Sequence, residues 1–340
     1  YRGEWWSGGA AAHTVWGLAI RPKLVSQVGV SNPEEEFKTW SGMYDIIQQI
    51  DEELDTIAWE ETGTPFDLES YWSEARTAHT GGDNPWIRGE YDDPEVIINN
   101  GQDSGARTDG MIKNLIQLAD EFSSEESPNR PDEDMPSIML TDRNAIYPHG
   151  TQSWTSITAI KEDATFGWQD GEGDFMLLPI PELDSGYGSE VGISELEGFE
   201  GEHGGHVSGL EASHTIFDIG DQKKMDLAWD LNYFMQTDDD HLVDIFGRGD
   251  AAIPTYQPKV DIVSSTLDVP QPYNMATEMM AEYGPQYMST GATWDVGGTD
   301  QIRWTDINET ISQAMAGQHD VETLPQLIRE RVLTTLENQN

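Results

Sequence analysis

Residues 143–150 read Arg143-Asn144-Ala145-Ile146-Tyr147-Pro148-His149-Gly150, and Trp154 follows four positions later. Ala145 to Tyr147 is a short apolar run and reads as a strand. Trp154 falls in a polar, loop-like setting instead. Working outward, four more short runs read as strands: Thr14 to Ile20, Ser137 to Leu140, Phe175 to Ile180 and His206 to Leu210.

Helices are expected between these runs. Ser31-Asn32-Pro33-Glu34 starts one, with a polar cap and Pro in the first turn. Phe37, Trp40, Tyr44 and Ile47 continue it at spacings of three and four. A second carries Met111, Leu115, Leu118, Ala119 and Phe122. A third begins near Asp221 and aligns Met225, Ala228, Trp229, Asn232 and Met235. Trp40 and Trp229 sit on these stripes and read as core. Asp306 and Glu309 form a capping box ahead of Ile307, Ile311, Ala314 and Met315, and Gly317 ends that helix. A last amphipathic helix holds Val321, Leu324, Ile328, Val332 and Leu336. The stretch from Asp184 to Gly205 is rich in Gly, Ser and Glu and reads as a long exposed loop. Strands and helices mix without strict alternation and without internal repeats, which predicts an α/β fold with a mixed sheet. The 340 residues suit two domains or one large one.

The charge balance narrows the function. There are 18 Lys+Arg against 63 Asp+Glu, a formal net charge of −45. Nucleic acid needs basic contacts to phosphate, and anionic lipid repels such a field. The chain is nevertheless expected to fold: 36% of residues are apolar, and it has 12 Trp, 11 Tyr and 9 Phe, unlike disordered acidic chains. Lysine is scarce, 7 against 11 Arg. An acidic, Lys-poor surface suits molar salt, where the screening length falls to roughly 3 Å. Glu34-Glu35-Glu36 and Asp238-Asp239-Asp240 are then solvated faces. With so many carboxylates, a pair at glycosidase spacing means little.

Other chemistry finds no support. There is no Cys, hence no disulfide and no thiol nucleophile. No Gly-x-Ser-x-Gly, Walker or dinucleotide motif occurs. His203 and His206 are joined by Gly-Gly, a poor preorganised ligand pair. Arg248-Gly249-Asp250 is a tripeptide short enough to arise by chance. No cofactor or metal is implied. No run approaches 18 apolar residues, and Tyr1 at the first position implies a processed or trimmed start. What stands out is aromatic. Tyr71, Trp72, Trp154 and Trp304 lie among polar residues, as they would in a cleft that stacks sugar rings and holds their hydroxyls.

The order of these segments resembles the extracellular solute-binding proteins of ABC importers, in the family that includes maltose-binding protein. Trp16-Gly17-Leu18-Ala19-Ile20 resembles the strand that crosses between lobes. Thr39-Trp40 resembles a segment just inside a helix, and Glu69-Ser70-Tyr71-Trp72 with Gly81-Gly82 a stretch lining the sugar site. Pro94 to Asn99 leads into a helix as family members do. Arg143 to Gly150 with Trp154, then Leu178-Pro179-Ile180-Pro181, resemble the family's middle. Gly204-Gly205-His206 with Ser213 resembles the return crossover. Ala228-Trp229 to Met235, Gly249 to Pro254 and Ala314-Met315-Ala316-Gly317 complete the order.

The resemblance implies a two-lobed, type II periplasmic-binding-protein-like fold with hinge crossovers. Residues 1–20 would be a remnant of lobe 1 and the first crossover, 21–205 and 266–340 lobe 2, and 209–262 the second part of lobe 1. Most of the first lobe's opening sheet would be absent. The implied function is capture of a sugar, oligosaccharide or polyol by hinge closure, without catalysis, and delivery to a membrane permease. Tyr71, Trp72, Trp154 and Trp304 would stack on the ligand, and Glu69 and Gln152 would hydrogen-bond it. Arg21 would pair with a polar or anionic ligand group, or else form an ion pair. A monomer is expected, at the cell surface, anchored through an N-terminal segment outside this chain. Two alternatives stand: a glycan hydrolase with paired carboxylates, and a surface interaction module without a transport role.

Overall fold

The computed structural model describes residues 6–65, 86–90, 93–150, 153–200, 207–216, 221–248, 253–254 and 301–339. Its strands are β1 (Trp6–Ile20), β2 (Ile57–Trp59), β3 (Ile87–Glu90), β4 (Asp93–Val96), β5 (Asn144–Gly150), β6 (Met176–Leu178), β7 (Val207–Ile216) and β8 (Ile253–Pro254). The main helices are α1 (Trp40–Glu53), α2 (Asp103–Phe122), α3 (Met135–Leu140), α4 (Ser153–Ile160), α5 (Tyr187–Val191), α6 (Gln222–Thr237), α7 (Asp239–Arg248), α8 (Thr310–Met315) and α9 (Leu324–Gln339). A π-helix, Gln301–Glu309, runs directly into α8. None of the described helices is long and apolar enough to cross a membrane.

β1 is the spine of a mixed sheet and changes partners along its length. Its C-terminal end lies between β5 and β6, with Ile20 opposite Ile146 and Met176, and β2 lies outside β5. Its N-terminal part pairs with β7, from Trp6 opposite Ile216 to Trp16 opposite Val207, and with β8 at Ala12 and His13. Trp16 faces both Gly150 and Val207, so the change of partners falls there. The next residue must be glycine: a Cβ on Gly17 would run into the Leu178 carbonyl oxygen. The strand segments expected at Thr14 to Ile20 and Ala145 to Tyr147 lie on this sheet, and of Phe175 to Ile180 the part Met176–Leu178 does.

Around β5 and β6 the core is continuous. α2 buries Met111, Leu115 and Leu118, and α9 buries Leu324, Ile328, Val332 and Leu336, at the spacings expected of one helical face. Trp40 is fully buried and packs on Tyr187, with ring centroids 5.6 Å apart. Gly317 stops α8 as expected. At φ 72° it lets Gln318 N–H reach the Gln313 carbonyl at 2.9 Å while its own N–H reaches Ala314 at 2.9 Å, a Schellman closure.

Five expectations are corrected. The helix read from Ser31 through Ile47 is broken. A short turn over Pro33–Glu36 stops at Phe37, and Thr39 is extended at φ −120°, ψ 156°. Thr39 pairs with Glu182 instead, and its hydroxyl accepts the Gly42 N–H at 3.1 Å, which caps α1 anew. Ser137 to Leu140 is helix, not strand: Pro136 sits in the first turn of α3, where its fixed φ suits a helix start. The run from Asp184 is no exposed loop up to residue 199. Tyr187 and Leu196 are fully buried, because α5 packs Tyr187 against Trp40 and Tyr44. Asp306 does not cap a helix but lies inside the π-helix, buried. Trp229 is not core: it is exposed on α6, whose inner side is taken by Asn232 and its neighbours.

Candidate functional site

β2 and β5 run parallel, Ile57 opposite Asn144 and Trp59 opposite Ile146, so both leave the sheet at one edge. Ligands of open α/β sheets bind beyond the carboxyl ends of such strands. After β2 come Glu60, Glu61 and Thr62, all buried. Glu60 N–H continues the ladder to the Ile146 carbonyl at 3.0 Å. Its carboxylate takes Arg130 Nε at 2.6 Å and the Ser124 hydroxyl at 2.7 Å. The Ser127 hydroxyl donates to the Glu61 carbonyl at 2.5 Å, and Gly63 N–H to the Ser127 carbonyl at 2.8 Å. This exit loop is therefore stapled to the chain leaving α2, which fixes the edge as a rigid platform.

The C-terminal part of the chain returns to the same edge. Asn308, buried in the π-helix, donates its side-chain amide to the Pro65 carbonyl at 2.7 Å. Trp304 lies four residues earlier, half-buried, with the Arg303 guanidinium 4.5 Å from its ring centroid. Burial pushes the Arg303 guanidinium down to about 10, since desolvation disfavours the charged form. Asp306, also buried, accepts Gln301 Nε2 at 3.4 Å through Oδ1, and no donor reaches its Oδ2 among the described residues. Helices with π geometry are rare and concentrate at functional sites.

On the β5 side, α4 begins three residues beyond the strand and carries Trp154 in its first turn. Trp154 is thus on the chain leaving β5 at this edge, and Trp304 is on the π-helix tied to the loop leaving β2. Glu69, Tyr71, Trp72 and Gln152 lie outside the described residues, as do His203 and His206. No cluster of three or more His, Asp or Glu suited to a metal ion occurs among the described residues.

Arg21 is an ion-pair residue. It is 3% exposed, and its Nη1 meets Asp174 Oδ1 at 2.8 Å and the Asp174 carbonyl at 2.6 Å. Its Nε meets Asp142 at 2.7 Å. Asp174 also receives Lys161 at 2.6 Å and Lys23 at 3.1 Å. Burial alone would raise the Asp174 carboxyl, but donors from Lys161, Arg21, the Thr165 N–H and Lys23 hold it well below the usual carboxylate range. The guanidinium thus locks the end of β1 to the loop before β6.

Sequence reasoning passed over Glu60, Glu61 and Arg303 at this edge. The two glutamates were indistinguishable among 63 acidic residues. Arg303 had a signal: it adjoins Trp304, already singled out.

No family model and no curated protein matches the sequence. Solved structures do. A cyclic α-maltosyl-1,6-maltose binding protein from Arthrobacter globiformis is 15% identical with a TM-score of 0.62, over 97% of this chain and 72% of that one. An ABC transporter solute-binding protein from Thermotoga lettingae, bound with α-D-tagatose, is 15% identical with a TM-score of 0.64, over 96% and 71%. A chitin oligosaccharide binding protein is 12% identical with a TM-score of 0.68, over 97% and 72%. At these identities the likeness is one of fold: the chain has the type II periplasmic-binding-protein-like α/β fold.

Proposed function

We propose that this chain is the solute-binding component of an ABC importer and captures a sugar, oligosaccharide or related polyol. The observation that carries the reading is that β2 and β5 run parallel and leave the sheet in the same direction, with the Trp304-bearing π-helix tied to the loop leaving β2 and Trp154 on the helix that follows β5. Three proteins of the same fold are named for, or hold, carbohydrate, which supports that ligand class.

In this reading Trp154 and Trp304 stack on the pyranose faces, joined by Tyr71 and Trp72, while Glu69 and Gln152 hold hydroxyls. Arg303 flanks Trp304 and adds donors. β1 is the crossover, and closure about Trp16 and Gly17 brings contacts from both lobes onto the ligand, so that binding stabilises the closed form. Residues 21–205 and 266–340 belong to one lobe, and 209–262 with the start of the chain to the other. Only part of lobe 1's sheet lies within this chain. The closed form docks on a membrane permease. No covalent step is involved. The protein works outside the cell, tethered through a segment preceding this chain, in salty surroundings that its acidic surface tolerates.

A thermal-shift screen against sugars and polyols in about 3 M salt, where charges are almost fully screened, tests this. A ligand that binds only the native state raises the melting temperature by the RT ln(1 + [L]/Kd) relation. A saturable rise, lost in Trp304→Ala with the ligand recovered intact, supports capture. Consumption of the ligand identifies a hydrolase instead. No rise with any solute rejects transport in favour of a surface interaction module.

A further inference from the structure

The two carboxylate oxygens of buried Asp174 hold different parts of the chain. Oδ1 accepts Arg21 Nη1 at 2.8 Å and Lys23 Nζ at 3.1 Å, both just past the end of β1. Oδ2 accepts Lys161 Nζ at 2.6 Å and the Thr165 N–H and hydroxyl at 2.9 and 3.0 Å, all on the segment leaving α4. The Asp174 and Phe175 N–H groups in turn reach the Thr165 carbonyl at 2.8 and 3.2 Å, which fixes the carboxylate directly ahead of β6.

This is a concentrated use of positive charge. The chain has 18 basic against 63 acidic side chains, and three of the basic ones converge on this carboxylate. Exposed ion pairs contribute little, and less still in salt. Here each cation ends on a buried oxygen, through a charge-assisted bond that salt screens poorly.

What Oδ2 holds is the exit of the helix that begins at Trp154. Lys161 N–H bonds to the Ile157 carbonyl at 2.8 Å, so Lys161 closes the last turn of α4. Ile157, in the middle of the helix, is fully buried. Trp154 lies about 10 Å back along the axis at 1.5 Å per residue. A helix this short moves as one body. With its middle packed and its exit pinned, its first turn has a fixed placement. With the exit released, it tilts about Ile157 and carries Trp154 with it.

We infer that Asp174 is a positioning residue of the ligand site: through Lys161 it sets the angle at which α4 presents Trp154, and through Arg21 it refers that angle to the end of β1. It acts through the helix and not by touching the sugar. The inference rests on the reading that Trp154 stacks on the captured solute.

Lys161 and Lys23 supply an internal control. Their side chains are 36% and 35% exposed and share one partner, but on opposite oxygens. A merely structural contribution would fall on both alike. Lys161→Met, Lys161→Arg and Lys23→Met are compared with wild type, after circular dichroism has confirmed that each is folded. Calorimetric titration uses the screened sugar or polyol that raises the wild-type melting temperature most. Hydrogen exchange on the solute-free protein reads the amides of α4. Lys161→Met is expected to weaken binding roughly threefold or more and to speed exchange in α4. Lys161→Arg, which keeps the cation, restores both, and Lys23→Met leaves both near wild type. Equal effects of Lys161→Met and Lys23→Met overturn the inference, as does wild-type exchange in α4 of Lys161→Met. Faster exchange with unchanged affinity also overturns it, because the helix would then be held for stability alone. A wild type that responds to no solute is a different result, seen before any variant is made: it overturns the functional reading, and this inference with it.

Discussion

Asn308 and Pro65 are 243 residues apart in sequence, yet the Asn308 amide donates to the Pro65 carbonyl at 2.7 Å. That bond ties the π-helix, which carries Trp304, to the loop leaving β2. Asn308 is 1% exposed, so removing its amide leaves the part-buried Pro65 carbonyl without this donor. Asn308→Ala is expected to cost about 1–3 kcal/mol, read as a fall in melting temperature. A change under about 0.5 kcal/mol, the usual size for a surface substitution, would show that the bond does not hold the segment.

The aromatic pair carries the ligand reading. Trp304→Ala and Trp154→Ala are each expected to weaken sugar binding at least tenfold, about 1.4 kcal/mol. Isothermal titration with the best ligand of the screen measures this. Retained affinity in both variants would place the ligand elsewhere.

Asp174 sets an acid limit on stability. Its folded carboxyl lies below the unfolded value of 3.8, so the unfolded chain binds the proton more readily. The contribution is complete above that value and is lost as pH falls below it. Asp174→Asn should flatten the stability curve in that acid range and cost about 1–3 kcal/mol at neutral pH, because Arg21 keeps only Asp142 as its carboxylate partner. Urea melts between neutral pH and about pH 3 read both effects. An unchanged acid limb would assign it to other carboxylates.

Lys113 has the opposite sign. It is 8% exposed and bridges Glu195 and Glu322 at 2.6 Å each. Burial lowers its ammonium, but the two carboxylates outweigh that and raise it above 10.5. Its stabilisation is present below the unfolded value and is lost as pH rises through the folded one. For Glu195, burial raises and Lys113 lowers, with a net fall, so its share disappears toward acid. Lys113→Met should reduce the pH dependence at both extremes. Chemical melts above pH 10.5 and near about pH 4 that match wild type would contradict this.

Thr39 starts α1. Thr39→Ala removes the acceptor for the Gly42 N–H and should cost about 1 kcal/mol, as other threonine caps do. Thr39→Ser should retain most of it. Equal melting of the two variants would mean that the bridge to Glu182, not the hydroxyl, positions the helix.

Period was legible in the sequence. Leu324, Ile328, Val332 and Leu336 all face the core of α9, and Gly317 closes α8 because only a left-handed residue can turn its end. Where the same period misled, a tertiary contact was responsible. The stripe from Phe37 to Ile47 is helical in spacing, but the Glu182 backbone competes for Thr39 and breaks it. Trp229 lies on a helical stripe too, yet α6 has only one packed side and Trp229 is off it.

By itself the sequence determined the class of fold, the identity of β1 and β5 as strands, and the main buried helical faces. These depend on local spacing and on composition, which a linear chain displays. Only the tertiary structure decided that Arg21 is locked to Asp174, that Asp306 lies within a π-helix, and that Glu60 and Glu61 are held by Ser124, Ser127 and Arg130. Each of these depends on which distant segment supplies the partner. Burial and hydrogen bonding across 100 residues or more of sequence are set by packing, and local pattern carries no record of it.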